Sequence, residues 1–392
     1  MTLASRPTLV HACHVHVFQQ PMLCWIYSRL RRCIIKAQAV LTDGDGDFYL
    51  DFIDISDPGT GDVLVEIRAS GVCHTDFDSM SWGRRCVMGH EGAGVVLSCG
   101  DGVENVRKGD HVLLNWAMPC GKCFQCGLGA EAICEAKPSI QFDRVKYGLR
   151  PIEQSFQLGT MATHTLVPFQ AVTKLESSMP FPSAAILGCG VMTGFGSVIN
   201  CARVQRSSSV VVLGAGGVGL SVVQGSRLAG ATMIIAVDLL QSRLDMARSF
   251  GATHTIQASA SDSGLLGVAE TVRKLNGRGA DYAFECTAVP ILGAAPLAMV
   301  RNGGMAVAVS GIEEIVPIDM RLFEWNKTYI NPLYGQCRPS VDFPFLVKLY
   351  NQGDLKLDEM ITKTYPLSSL GDAFRDMKLG RNAKGVLLPH GN

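Results

Sequence analysis

Residues 210–238 restrict the fold more tightly than any other stretch of this chain. A short apolar run, VVVL at 210–213, meets the glycine-rich turn GAGGVG, then the helix-like segment SVVQGSRLAG, then a second apolar run, MIIAV, ending at Asp238. Strand, glycine turn, helix and strand make a βαβ unit, in which the two strands lie parallel and the helix covers the sheet. The alternation continues downstream: DMARSFGA reads as helix, DYAFECT as strand, APLAMVRNGG as a helix with a glycine stop, and MAVAVSG as strand. Such repetition predicts an α/β fold built on a doubly wound parallel sheet with helices on both faces.

Gly214, Gly216 and Gly219 form G-x-G-x-x-G directly after a strand and at the start of a helix. The first glycine permits the tight turn, the second lets a pyrophosphate approach the backbone, and the third lets helix and strand pack closely. Gly217 and Val218 complete the candidate cofactor contacts of this turn. The same pattern also suits an ordinary glycine-rich turn, so the context decides. Asp238, at the end of the next strand, can accept hydrogen bonds from the adenosine ribose of NAD and would repel a 2′-phosphate. NAD is therefore expected in preference to NADP, with Arg243 close enough in sequence to meet a phosphate.

The rest of the composition excludes several classes. A chain of 392 residues, 47% hydrophobic and 18% charged, can bury two well-developed cores. Lys plus Arg equals Asp plus Glu at 35 each, which removes the electrostatic case for nucleic acid or an anionic membrane as the main partner. A small molecule fits better. No uninterrupted apolar run reaches the roughly 18 residues of a membrane span. Fourteen cysteines in a long chain rich in apolar residues suit metal binding and free thiols in a reducing compartment more than a disulfide scaffold.

Residues 1–33 stand apart: they hold no Asp or Glu, but do hold Arg6, Arg29, Arg31 and Arg32. They read as a poorly ordered extension with a cytoplasmic location for the protein, or, alternatively, as a mitochondrial presequence. His11, Cys13, His14 and His16 within them read as incidental.

From Ile34 to about Gly188 the pattern is β-rich and loop-rich, with IIKAQAVL and VLVEIRASG as strands between the turn segments DGDGD and SDPGTGD. After Gly335 come a helix (FPFLVKLYNQG), a second helix near LGDAFRDMKLG, and a strand GVLL that can return to the first domain. Within the β-rich part, Cys120, Cys123, Cys126 and Cys134 occupy the single stretch PCGKCFQCGLGAEAIC. One loop can wrap all four sulfurs round a tetrahedral zinc, which then has no open position and braces the loop without chemistry. Cys73 in GVCHTD, His90 in MGHEGAG and Cys189 in LGCGVMTG are scattered, and spacing alone does not bring them together.

Five segments in this order, GVCHTD, GHEGAGVV, the cysteine quartet, LGCGVMTGFGS and VVLGAGGVGLS, resemble the zinc-dependent alcohol dehydrogenases of the medium-chain dehydrogenase/reductase superfamily, over residues 34–388. The short-loop pattern and the segment DLKLDEMIT look most like the aryl- and benzyl-alcohol branch. The resemblance implies a GroES-like catalytic domain from residues 34–189 and 335–392, and a Rossmann dinucleotide-binding domain from 190–334. It implies two zinc ions per chain: a catalytic one on Cys73, His90 and Cys189, and a structural one on the quartet. A Cys2His set leaves one position open on the zinc, a Lewis acid that lowers the pKa of a bound alcohol.

The resemblance further gives Thr75 the hydroxyl that begins proton removal, and Asp76 and Glu91 the carboxylates behind the ligands, with Asp76 orienting His90. His74 and Lys384 match basic pyrophosphate contacts, Thr193 a contact near the nicotinamide, and Trp116 and Phe156 aromatic walls of the substrate pocket. Expected function is hydride transfer between NAD(H) and a primary alcohol/aldehyde pair that is aromatic, allylic or ring-bearing. Alternatives on the same fold are a reductase of conjugated carbonyls or iminium ions and a dehydrogenase of thiol–formaldehyde adducts. An alternative of another class is a non-catalytic zinc-stabilised nucleotide-binding protein.

Two departures stand out. Asp78 occupies the place of a His that completes the usual proton path, and the stretch from Cys73 to His90 is short, which predicts a more open pocket. Cys86 in that stretch reads as an incidental thiol open to oxidation. A homodimer or homotetramer is implied, with Ile312 to Asn326 as the candidate interface.

Overall fold

The structure is a computed structural model that describes residues 34–391; the readings placed on residues 1–33 lie outside the described residues. Three sheets carry the molecule. The first runs Arg150–Pro151, Val145–Tyr147, Phe48–Ile55, Ile35–Thr42, Cys86–Val87 and Glu153–Gln154 in spatial order. The second runs Val172–Lys174, His111–Leu114, Gly92–Cys99, Asp62–Val72, Lys384–Leu388 and Ile361–Pro366, with His164–Pro168 also paired to Asp62–Val72. These two form the β-rich part, and the strand GVLL returns to it as its sequence suggests.

In the third sheet every pairing is parallel, in the order His254–Gln257, Met233–Asp238, Ser209–Leu213, Ala280–Glu285, Val300–Ala308 and Thr328–Ile330. Numbered along the chain this is 3-2-1-4-5-6, so the connections diverge from Ser209–Leu213 and open a crevice beyond its carboxyl end. Val210 to Leu213 are fully buried, as continuous β-branched runs between two helical layers should be. Burying side chains such as Phe284 and Phe343 contributes on the order of 1.5–3 kcal/mol each.

One element differs from its sequence reading. APLAMVRNGG is helical only over Ala295–Met299, and Val300 already begins the strand Val300–Ala308. Val300 pairs with Ala280, and the strand absorbs Gly303, whose φ is 68°, where the register against Ala280–Glu285 shifts. The glycines that read as a helix stop therefore serve an irregular strand.

The segment from Phe181 to Ala202 is one apolar, mostly buried helical run that passes from the β-rich part towards the parallel sheet. The domain boundary expected at 189/190 falls inside it. Its geometry alternates: Phe181–Ile186 and Met192–Gly196 are α-helical, while Leu187–Val191 and Ser197–Ala202 are π-helical turns. Near the open edge of the parallel sheet, Ile315 (97%), Met320 (72%) and Trp325 (72%) are exposed in the segment preceding Thr328–Ile330.

Candidate active site

Strand register brings the scattered candidate ligands together. Asp62–Val72 pairs antiparallel with Gly92–Cys99, Ser70 facing Gly92, so Cys73 just past one strand meets His90 just before the other. Cys73 is the N-cap of the helix His74–Ser79, and its N–H donates to Asp76 Oδ2 at 3.0 Å. The other oxygen of Asp76 lies 2.7 Å from His90 Nδ1. A wholly buried carboxylate thus caps the helix and fixes the imidazole, with Nδ1 as donor and Nε2 left as the acceptor. His90 Nε2 is buried and has no partner. Burial disfavours a charged imidazole, but Asp76 outweighs it and raises the His90 pKa well above the usual value. A more basic nitrogen is a better metal donor.

Cys189 joins from the π-helical turn Leu187–Val191. One extra residue per turn widens the helix there, a common device at functional sites. Close packing explains the flanking glycine: a Cβ on Gly188 would stand 2.6 Å from Leu114 O. One donor atom each from Cys73, His90, Glu91 and Cys189 all lie within 4.8 Å of one another. Tetrahedral donors about 2.3 Å from zinc are roughly 3.8 Å apart, so this grouping, with an orphaned imidazole nitrogen at its centre, fits the ion. The hydrogen bond between the two thiols holds Cys73 well below the ordinary thiol range against the opposing effect of burial, and pushes Cys189 up. Thr75 Oγ1 is 3.8 Å from Cys73 Sγ, at the edge of the group.

Lys384 runs from the glycine turn to the carboxylate of Glu91. Its stem passes Gly217, where an added Cβ would stand 2.7 Å from Lys384 Cδ. Its ammonium is buried and bonds Glu91 Oε1 at 2.7 Å and Val72 O at 3.2 Å, beneath the group of Cys73, His90 and Cys189. The cause is register: Gly385 faces Val72, which sets Lys384 beside Cys73. Glu91 Oε1 also accepts the Gly190 N–H at 3.2 Å. Burial raises the Glu91 pKa and Lys384 restrains the rise.

The quartet is self-contained. The sulfurs of Cys120, Cys123, Cys126 and Cys134 lie within 4.8 Å of one another. Peptide N–H groups point at them: Cys123 N at Cys120 Sγ (3.3 Å), Cys126 N at Cys123 Sγ (3.5 Å) and Cys120 N at Cys134 Sγ (3.3 Å). Such donors favour thiolates, and the Cys126 N–H leads in lowering the Cys123 pKa to about 6. Gly121 at φ 72° supplies the left-handed residue that turns the chain round the sulfurs.

At the crevice, Gly214 has φ 86°, and a Cβ on Gly219 would stand 1.8 Å from Gly214 O, whereas one on Gly216 would meet nothing within 4 Å. The middle glycine therefore faces open space at the start of the helix Gly217–Leu228, where unpaired N–H groups suit a phosphate. Asp238 accepts the Ala215 N–H at 2.8 Å and the Leu240 N–H at 3.0 Å, so it braces the glycine turn and keeps one lone pair on each oxygen for a ribose. Arg243 Nη1 is 3.7 Å from Asp238, within reach of the same ribose region. Thr193 lies in the helical turn packed on this helix, a Cβ on the adjacent Gly194 being 2.3 Å from Val218 O. His74 is exposed on the first turn of its helix. Sequence reading missed Glu285, a fully buried carboxylate that accepts the N–H groups of Thr287 (2.6 Å) and Ala288 (3.1 Å) and so shapes the opposite lip.

Trp116 and Phe156 meet. The Phe156 ring is 4.8 Å from the His90 ring and 5.4 Å from Trp116. Phe156 is held with φ 51°, a strained setting for an aromatic residue, beside His90. Two further aromatics were not foreseen. Tyr334 stacks on Trp116 at 4.0 Å and donates its hydroxyl to Gly188 O, tying the wall to the turn that carries Cys189. Trp82 stands 5.9 Å from Phe156, so the short stretch expected to leave the pocket open places an indole over it. Cys86 is buried, and burial pushes its thiol up to about 11, which protects it from oxidation.

The family described as alcohol dehydrogenase GroES-like domain matches residues 59–177, and that described as zinc-binding dehydrogenase matches 217–350. An S-(hydroxymethyl)glutathione dehydrogenase of Paracoccus denitrificans is 33% identical over 355 residues, covering 86% of this chain and 95% of its own. An alcohol dehydrogenase class-3 of Cereibacter sphaeroides is 33% identical, with coverage of 86% and 95%. Among solved structures, benzyl alcohol dehydrogenase from Acinetobacter calcoaceticus superposes with a TM-score of 0.82 at 29% identity, over 90% of this chain and 99% of that one. With the fold, the cysteine groups and the glycine turn in agreement with these matches, the chain belongs to the zinc-dependent alcohol dehydrogenases of the medium-chain dehydrogenase/reductase superfamily.

Proposed function

We propose that the chain interconverts a primary, ring-bearing alcohol and its aldehyde with NAD(H). One observation carries the reading: the unpartnered His90 Nε2 and the sulfurs of Cys73 and Cys189 converge beneath the aromatic face of Phe156. Zinc held by these three residues would supply Lewis acidity, and NAD(H) held at the glycine turn would supply the hydride chemistry. The chain's own residues do the rest. Asp76 holds His90 in its ligating tautomer, Thr75 accepts a hydrogen bond from the substrate hydroxyl and passes its own proton on towards solvent, and Phe156 and Trp116 orient the ring. Asp238 beside the glycine turn supports NAD over NADP. The quartet holds a second zinc that braces the lobe next to Trp116.

The domain division, with catalytic segments on both sides of residues 190–334, accords with the three sheets and belongs to the same proposal. So do a homodimer or homotetramer joined through Ile312 to Asn326, and a cytoplasmic location, supported by eleven free cysteines among the described residues. A second reading, oxidation of a thiol–formaldehyde adduct, is favoured by the S-(hydroxymethyl)glutathione dehydrogenase relative.

Absorbance of NADH and NADPH with metal-replete protein tests both readings against benzyl alcohol, allylic and aliphatic alcohols, their aldehydes, and S-(hydroxymethyl)glutathione. Turnover of benzyl alcohol with NAD is expected; turnover of the adduct alone transfers the assignment to the second reading. If every substrate fails and metal analysis finds about one zinc per chain, the protein is a non-catalytic nucleotide binder.

A further inference from the structure

Trp116 has two features that neither the metal cluster nor the nucleotide crevice uses. It is 8% exposed, and its indole Nε1 is buried with no acceptor among the described residues. Over its ring stands the ammonium of Lys137, with Nζ 5.1 Å from the centroid. Lys137 is partly buried, and among the described residues no carboxylate lies within ion-pair distance of it. Burial lowers its pKa, and the Cys134 sulfur opposes this.

A buried donor without an acceptor is costly and uncommon, and the indole N–H of Trp116 is one, with the partly buried Lys137 ammonium over the same ring. That indole is also part of the pocket wall, since Phe156 bridges the space between it and His90. Because the Phe156 ring is 4.8 Å from His90 and 5.4 Å from Trp116, a benzyl group placed along Phe156 with its carbinol carbon at Cys73, His90 and Cys189 would carry its ring substituents towards Trp116.

We infer that Lys137 and Trp116 Nε1 form an anion-recognising end of the substrate pocket, and that the favoured substrates are aromatic alcohols and aldehydes bearing a ring carboxylate or an ionised phenol. The inference rests on the ring-bearing alcohol reading given above. An anionic oxygen there would pair with the ammonium and accept the indole N–H, satisfying both groups at once. Lysine suits this task because its point charge tolerates carboxylates at different ring positions.

The test compares kcat/KM for the 3- and 4-(hydroxymethyl)benzoates with the 3- and 4-methylbenzyl alcohols, using the full chain with saturating NAD; 4-hydroxybenzyl alcohol, assayed below and above its phenol pKa, separates phenolate from carboxylate recognition. At least one anionic substrate should exceed its methyl counterpart by more than about tenfold, as expected when a substrate group satisfies buried donors. Lys137→Gln should bring that ratio near unity, and Lys137→Arg should keep most of it. A ratio at or below one in the wild type, or one that survives Lys137→Gln, overturns the inference. Because Lys137 also faces Cys134, a measurement on the wild type stands beside the variants. Raising salt from about 0.05 to about 0.5 M should increase KM several-fold for the anionic substrate and leave the methyl analogue unchanged. An equal response of the two overturns the inference. Turnover of neutral benzyl alcohols without anionic preference defeats the subsite alone, whereas turnover of no aromatic alcohol defeats the ring-bearing reading with it.

Discussion

Cys120, Cys123, Cys126 and Cys134 come from one loop, partly open to solvent, whose own peptide N–H groups face the sulfurs. Cys73, His90 and Cys189 come from three distant segments, and their environment is supplied by others: Asp76 behind His90, Glu91 and Lys384 beneath, Tyr334 on the turn of Cys189. A local cluster needs only its loop, while a dispersed one needs strand register, a π-helical turn and a buried ion pair to be correct together. The quartet should therefore fail through stability and the trio through chemistry.

Replacing a ligand in each cluster gives the largest contrast. Cys189→Ser should lower zinc from about two to about one per chain and cut kcat/KM by more than about a thousandfold, with little change in melting. Cys123→Ser should also leave about one zinc, but its loss should appear as a lower Tm, with activity following the folded fraction. Loss of both metals in Cys189→Ser, or an unchanged Tm in Cys123→Ser, would break the comparison.

Lys384→Met comes next, because it leaves the Glu91 carboxylate buried without its cation, at a cost of about 3–5 kcal/mol in urea denaturation. Adding Glu91→Gln should recover part of that cost, since the remaining group is neutral. The quartet should keep its metal in both proteins.

Asp76→Asn should weaken the metal affinity of the trio by about 10–100-fold, measured by competition with a chelator, because an amide orients His90 less strongly than a carboxylate. The quartet draws its support from the backbone and has no equivalent residue to change.

The smallest effect concerns acid. Hydrogen bonds from Lys363 and Tyr365 hold Asp376 at about 2, against burial, and this group ties the strand Ile361–Pro366 to the helix Leu370–Lys378. A depressed carboxyl stabilises the fold above its unfolded pKa of about 3.9 and loses that contribution as pH falls towards the folded value. Asp376→Asn should remove a small part of the Tm loss between about pH 4 and about pH 2. That strand lies beside Lys384–Leu388, so the support lost belongs to the trio's side of the molecule.

The same contrast explains what was legible beforehand. The quartet and the glycine turn are local patterns, in which residue type and spacing carry the geometry. The trio came only through family resemblance, because nothing between residues 73 and 189 shows that Ser70 faces Gly92. Tyr334 was hidden by its backbone: with φ 53° it turns inward at a place that reads as a loop. Lys384 was assigned to the pyrophosphate by position, while its carboxylate partner is 293 residues away and known only from the pairing of Gly385 with Val72. Lys137 and Trp82 follow no motif, and only packing against Trp116 and Phe156 distinguishes them from ordinary loop residues.

The Glu91–Lys384 pair also imposes an order on synthesis. Domains generally begin to fold as they leave the ribosome, amino-terminal segments first. Glu91 is translated early, yet its cation and the strand that shields it emerge nearly 300 residues later. Until then a nascent chain that closed around Glu91 would bury an uncompensated charge, so the quartet's loop can reach its final form on the ribosome while the floor of the trio must wait for residue 384.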